Sequence, residues 1–173
     1  MRILLGVTGS IAAYKAADIV RGLLRRGHEV RVVMTAAACD FITPLTLSTL
    51  SRNPVTIPQA TPRDWRPEHI ENALWCQALL VAPCTANALA KLALGLADDP
   101  LSAAALATQS PIFVAPAMND GMWENPATQR NLQTLLERGA TLIPPSEGEL
   151  ACGTRGRGRL APVEEILAHF PAP

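Results

Sequence analysis

Charge is scarce in this chain. Asp, Glu, Lys and Arg make up 17% of its 173 residues, against 49% hydrophobic ones. That is little charge for a surface that must all face water, so part of the surface is expected to be a subunit interface. Neither sign is in excess. Fifteen basic and fifteen acidic residues give a formal net charge of zero, and the basic cluster Arg155, Arg157 and Arg159 is local. The electrostatic footprint of a nucleic-acid-binding domain is therefore missing, and no nucleic-acid partner is expected. No apolar run approaches membrane-spanning length, so no membrane partner is expected either. The opening Met1-Arg2-Ile3-Leu4-Leu5-Gly6-Val7 reads as a buried first strand, because Lys15 and Asp18 interrupt the apolar region before it reaches signal-peptide length. Cys39, Cys76, Cys84 and Cys152 stand far apart, without a C-x-x-C pair or histidines at metal spacing. That argues against a disulfide framework and a zinc site, and predicts free thiols in a reducing cytoplasm. No Ser/Gly-rich linker, charge run, repeat or low-complexity tract divides residues 1–173, which are expected to form one domain.

What is present is a rhythm. Short apolar strands at 3–7, 30–34, 79–82 and 112–115 are each followed by a helical stretch, at 12–25, around 41–50, at 86–94 and at 126–137, and a last strand falls at 141–143. This predicts an α/β fold, a single doubly wound, Rossmann-like or flavodoxin-type parallel sheet with helices on both faces. Two segments break the rhythm: a proline-rich stretch at 54–67 and a Gly/Arg-rich one at 144–162. Connections of that length inside a compact domain are usually functional.

The strand ends carry the candidate site. After the first strand, Gly9 permits a tight turn, and Ser10 either caps the following helix or offers its hydroxyl to a phosphate held by free N–H groups. The spacing is neither G-x-G-x-x-G nor a P-loop, and points to a mononucleotide. Thr35 ends the second strand, as a cap or a phosphate contact. Ala82-Pro83-Cys84-Thr85-Ala86-Asn87 follows the third, and these three strand ends are placed to line one crevice. After the fourth comes Pro116-Ala117-Met118-Asn119-Asp120-Gly121-Met122-Trp123, in which Asn119 offers an amide to a carboxylate or carbonyl while Met118, Met122 and Trp123 offer a soft wall for a flat ring. His69, where the proline-rich stretch gives way to a helical turn at 70–75, is a candidate base near neutral pH. In 150–162, glycines at 153, 156 and 158 and three arginines read as a flap, about 145–162, with Cys152 at its base.

Together these residues resemble the homo-oligomeric flavin-containing cysteine decarboxylases, and within them the branch that acts on 4′-phosphopantothenoylcysteine in coenzyme A biosynthesis. The resemblance spans nearly the whole chain. It rests on Gly-Ser-Ile-Ala-Ala-Tyr-Lys at 9–15, His69-Ile70, Ala-Pro-x-Thr-Ala-Asn at 82–87, Pro-Ala-Met-Asn-x-x-Met-Trp at 116–123 and Ala-Cys-Gly-x-x-Gly-x-Gly-Arg at 151–159, all in the family's order. It implies FMN bound between subunits of a homotrimer, which can associate into a dodecamer, and a small phosphorylated cysteine conjugate as substrate. It also implies roles. His69 is the base, Asn119 holds the substrate carboxylate, and Cys152 donates a proton. Gly9, Ser10, Ile11, Thr35, Pro83, Cys84, Thr85, Ala86 and Ala117 contact FMN, while Met122 and Arg159 contact substrate. In many bacteria the domain is fused to a ligase that makes its substrate; here a separate ligase is expected.

The chemistry accounts for the set. A cysteine carboxylate cannot leave as CO2 directly, because the carbanion would have no neighbouring electron sink, and oxidation at the β-carbon creates one. Four positions depart from the family's pattern: Trp75-Cys76-Gln77 replaces Trp-Ala-Asp, Cys84 replaces alanine or leucine, and Thr154 replaces an acidic residue. None touches the expected chemical core, although Thr154 bears on how the flap closes. A peptidyl-cysteine oxidative decarboxylase is the alternative, disfavoured by Cys152 and its Gly/Arg flap; a flavin prenyltransferase would lack the His and Pro-Ala-Met-Asn pairing. A non-enzymatic flavin-binding regulatory protein would carry acidic extensions.

Overall fold

The computed structural model describes residues 1–58, 67–149, 153 and 155–172. Its centre is strand β1 (Arg2–Val7), whose six residues alternate between two cores: Ile3, Leu5 and Val7 point into one and Leu4 into the other. A strand buried on both faces must be apolar throughout, and after Arg2 it is. The chain then turns through a 3-10 segment, Ile11–Lys15, into α1 (Ala16–Arg25), which lays Ile19, Val20 and Leu23 on the first face of the sheet. Left-handed Gly27 ends that run and returns the chain as β2 (Glu29–Met34), parallel to β1.

A second 3-10 turn, Ala36–Asp40, leads to α2 (Pro44–Ser51) and the two-residue edge strand β3 (Val55–Thr56). The chain then crosses to the other side of β1 through α3 (Glu68–Trp75) and forms β4 (Ala78–Cys84), every residue of which is buried. Beyond it lie α4 (Ala86–Leu94), α5 (Pro100–Ala107), β5 (Ile112–Pro116), α6 (Asp120–Glu124), α7 (Pro126–Glu137) and β6 (Thr141–Leu142). Proline opens α2, α5 and α7, where its missing N–H costs nothing. A hairpin of β7 (Ser146–Glu149) and β8 (Arg155–Arg159) forms a separate antiparallel pair, and α8 (Val163–Ala168) returns to α1.

The main sheet is parallel, in the order β3-β2-β1-β4-β5-β6. Without the edge pair of β3 residues this is the flavodoxin-type order, and the doubly wound α/β expectation holds. One core, beneath α1, α2 and α8, includes Phe170, Leu167 and Leu47; the other, beneath α4, α5 and α7, includes Leu89, Leu101 and Leu132. Full burial of each such side chain contributes about 1.5–3 kcal/mol. Gly6 matters here: a Cβ on it would stand 2.5 Å from Leu101 Cδ1, so its absence is what lets α5 settle on the sheet.

The elements expected at 86–94 and 126–137 are helices with those bounds. The helix expected over 12–25 is divided into a 3-10 turn and α1. Within 54–67 there is strand β3, and 59–66 lie outside the described residues. The 144–162 connection contains the β7–β8 hairpin, which the Gly/Arg composition did not suggest, because its alternation is of glycine with arginine rather than of apolar with polar residues.

Candidate functional site

Strand order reverses between the parallel neighbours β1 and β4, so the connections leaving their carboxyl ends run to opposite faces of the sheet and leave a crevice. Thr8, the first residue past β1, fixes both lips. Its buried hydroxyl donates to the Pro83 carbonyl at 2.7 Å and accepts the Thr85 N–H at 3.0 Å. The Ala82–Pro83 peptide is cis. Sequence reasoning passed over Thr8; the signal was a polar residue between an all-apolar strand and a glycine turn.

A cavity of about 1090 Å³ opens above this crevice. Gly9, Ser10 and Ile11 form its floor on the β1 side. Ser10 caps the 3-10 turn, accepting Ala12 N–H at 3.2 Å, while the N–H groups of Gly9 and Ile11 have no hydrogen-bond partner among the described residues. Glycine is needed at 9 for a reason different from ligand approach: a Cβ there would stand 2.5 Å from the Ala37 Cβ. That contact brings the two 3-10 turns together. Thr35 caps the second turn through Ala38 N–H at 3.3 Å and lines the cavity with Ala36 and Ala37. Thr85, capping α4 through Ala88 N–H, and Ala86 supply the β4 side. Pro83 and Cys84 do not line the cavity. Cys84 is fully buried, and burial pushes its thiol up to about 12.

From β5, Ala117, Met118, Asn119 and Met122 close the far wall. Asn119 is the N-cap of α6, its Oδ1 accepting Gly121 N–H at 2.9 Å, which orients the side-chain amide. Trp123 is a correction to the expected soft wall. One helical step of about 100° separates it from Met122, so that Met122 is exposed on the cavity side while Trp123 is buried in the second core. The β8 strand rests directly on this loop: Met118 N–H donates to the Gly158 carbonyl at 2.9 Å, and Arg159 beyond it faces the cavity. Cys152 and Thr154 lie outside the described residues.

A further wall was not foreseen. Lys91 of α4 binds Asp98 at 2.7 Å and Asp99 at 3.0 Å, and these contacts, Asp98 first, hold its ammonium above its ordinary pKa. Asp99 in turn caps α5 through Leu101 and Ser102 N–H, with Ser102 closing a capping box. The Asp-Pro pair opening a helix was the available signal.

His69 is not in this cavity. It stands in the first turn of α3 and lines a separate recess of about 470 Å³ with Ile70, Pro100 and Leu106; Asp98 and Asp99 form the ridge between the two. The departures at 76 and 77 are structural. The Gln77 Oε1 accepts Arg2 N–H at 2.9 Å, and the Cys76 thiol sits 3.4 Å from the Thr108 hydroxyl, away from the cavity. Among the described residues no group of His, Cys, Asp and Glu is arranged to hold a metal, and no helix is long and apolar enough to cross a membrane.

Residues 1–171 match the model of the family described as Flavoprotein. The coenzyme A biosynthesis bifunctional protein CoaBC of Vibrio cholerae is 47% identical over 169 residues, which are 97% of this chain and 42% of that protein. The chain thus spans about two fifths of the length of such curated relatives. Among solved structures, a cysteine-to-serine mutant of PPC decarboxylase complexed with pantothenoylaminoethenethiol superposes with a TM-score of 0.86 at 37% identity, covering 97% of this chain and 94% of that one. The FMN-binding protein AtHal3 gives 0.82 at 38% identity, over 97% and 93%.

Proposed function

The chain belongs to the flavoprotein family, and from that premise we propose that it is an FMN-dependent enzyme that decarboxylates 4′-phosphopantothenoylcysteine to 4′-phosphopantetheine in coenzyme A biosynthesis. One observation carries the proposal. The Asn119 and Met122 side of the fold, which the resemblance ties to substrate, faces the same cavity as Gly9, Ser10, Ile11, Thr35, Thr85 and Ala86, which it ties to flavin. The relatives point the same way by what they bind and do.

FMN fits the residues present. The unpartnered N–H groups of Gly9 and Ile11, beside the Ser10 cap, suit its phosphate, and the apolar flank of Ile11, Ala37, Ala117 and Met118 suits a flat ring. Thr35, Thr85 and Ala86 would complete that contact, whereas Pro83 and Cys84 would act from behind it, by shaping the turn that Thr8 ties down. When bound, FMN would supply the reversible two-electron oxidation at the cysteine β-carbon that gives the carbanion left by loss of CO2 an electron sink.

The remaining tasks fall to side chains. Asn119 holds the substrate carboxylate by its amide, Met122 packs on the substrate, and Arg159 clamps it from the hairpin. His69 removes the thiol proton and Cys152 returns a proton to carbon. His69 opens into a different recess from Asn119, which favours a second copy of the chain bringing the two together. Exposed apolar side chains support such an assembly. Exposed Ile70 and Leu106 line the His69 recess, and Leu74, one turn beyond Ile70 on α3, is 78% exposed, while exposed Ile11 and Tyr14 form an unlike set on the cavity wall. Two unlike patches favour a head-to-tail contact, which closes into a ring such as a homotrimer, the unit from which a dodecamer would be built. Residues 1–173 act as one domain in this reading. The free thiols of Cys39, Cys76 and Cys84 fit work in the cytoplasm.

The test is Asn119→Asp. The variant keeps the oxygen that accepts Gly121 N–H, so α6 should form, but it sets a negative charge against the substrate carboxylate. FMN-loaded wild type is expected to release CO2 from 4′-phosphopantothenoylcysteine and the variant to release almost none. Near-normal turnover by the variant contradicts the assigned contact, and an FMN-loaded wild type that releases no CO2 contradicts the enzyme.

A further inference from the structure

Two cations on the cavity wall have no ion-pair partner among the described residues. Lys15 closes the 3-10 turn after Ser10, and Arg159 ends β8, with its Nη1 about 3.1 Å from where a Cβ on Gly148 would stand. The missing side chain at Gly148 is what gives the guanidinium its place across the hairpin. Neither Lys15 nor Arg159 makes a side-chain hydrogen bond or ion pair with another described residue. The other charged residues on the cavity wall do not fill that role: Lys91 engages Asp98 and Asp99, and Glu149, on the exposed rim, pairs with neither cation. Partial burial, and then the proximity of Arg159, pulls the Lys15 ammonium below its ordinary pKa. Two like charges brought together at a cavity wall are destabilising unless an anion joins them.

Resting on the decarboxylase reading, we propose that Lys15 and Arg159 together form the subsite for the phosphate monoester of the substrate, and so select the phosphorylated cysteine conjugate over its unphosphorylated form. The other anions have places of their own. Asn119 takes the carboxylate, and the Gly9–Ile11 turn takes the flavin phosphate, leaving the substrate phosphate for the cation pair. A dianion between two charged donors also explains why a lysine stands on a turn otherwise made of Ile, Ala and Tyr.

The experiment compares FMN-loaded wild type, Lys15→Gln and Lys15→Arg on 4′-phosphopantothenoylcysteine and on pantothenoylcysteine. Calorimetric binding of 4′-phosphopantetheine and of pantetheine provides a readout independent of turnover. Wild type should favour the phosphorylated member of each pair. Lys15→Gln should reduce that preference by about tenfold or more, chiefly through KM and Kd, as expected for loss of one charge-assisted contact, and Lys15→Arg should restore most of it. An unchanged preference in Lys15→Gln overturns the subsite. So does a Lys15→Gln protein whose FMN affinity falls while its preference stays, since the pair would then belong to the flavin phosphate. A wild type that does not decarboxylate the phosphorylated compound overturns the decarboxylase reading and this inference with it, whereas an active wild type with an indifferent Lys15→Gln overturns the inference alone.

Discussion

Thr8 ties the two lips of the crevice together, and Cys84 lies buried behind it. The Thr8 hydroxyl satisfies one carbonyl and one N–H on the opposite lip, and valine, of similar shape, would satisfy neither. Thr8→Val is expected to lower the unfolding free energy by about 1–3 kcal/mol, measured by urea titration, because two polar groups lose their partner where water is excluded. Cys84 gives a pH signature. Its folded pKa, about 12, lies above the value of 9.0 for an unperturbed thiol, so above pH 9 the unfolded chain releases a proton that the folded chain retains. The stability contributed by keeping this thiol neutral is present below pH 9 and is lost between pH 9 and 12. Cys84→Ala should therefore show a shallower loss of stability over that range in pH-dependent denaturation; superimposable profiles would contradict the assignment. Neither effect could be read from the chain alone, where Thr8 is one polar residue after a strand and Cys84 one small residue at a strand's end.

The β7–β8 hairpin is the element whose placement matters most for the site. A side chain at Gly156 would meet Asp120 Cβ at 2.7 Å, and one at Gly158 would collide with the Met118 carbonyl, at a φ of 151° that disfavours other residues. The glycines allow the strand to lie against the loop that holds Asn119. Gly158→Ala is expected to lift the hairpin and to lower kcat/KM by about a hundredfold, as for an ångström-scale misplacement, with a much smaller change in Tm, since β8 lies outside both cores. Equal losses in both would contradict a positioning role. Elements with strong periodicity were legible in the sequence. Helices α4 and α7 carry repeating apolar faces and good caps, and the parallel strands are continuous apolar runs. The hairpin was not, because its pairing follows from docking on 118–120, a long-range contact that local pattern does not encode. Helix α5 was also missed: Pro-Leu-Ser-Ala-Ala-Ala-Leu-Ala is apolar on all sides, so it has no periodicity to detect.

At the scale of the whole molecule, the low charge and the two unlike apolar patches belong to the same account as the separation of His69 from Asn119. The resemblance implies that both residues serve one site. The single chain places them on either side of the Asp98–Asp99 ridge, and in the proposed reading a second copy brings them together, which spacing along one chain does not encode. It follows that His69→Asn and Asn119→Asp proteins, each inactive alone, should regain activity when co-assembled, since mixed oligomers would contain interfaces with both groups intact; persistent inactivity of verified mixed oligomers would contradict the shared site. The resemblance read from five motifs agrees with the family match and the curated relatives. The most direct measurement is the mass of the product formed by FMN-loaded protein from 4′-phosphopantothenoylcysteine. Loss of CO2 alone, giving 4′-phosphopantetheine, is the predicted result. Loss of CO2 together with two hydrogens would mean that reduction of the enethiol fails and would contradict the assigned reaction, as would recovery of unchanged substrate.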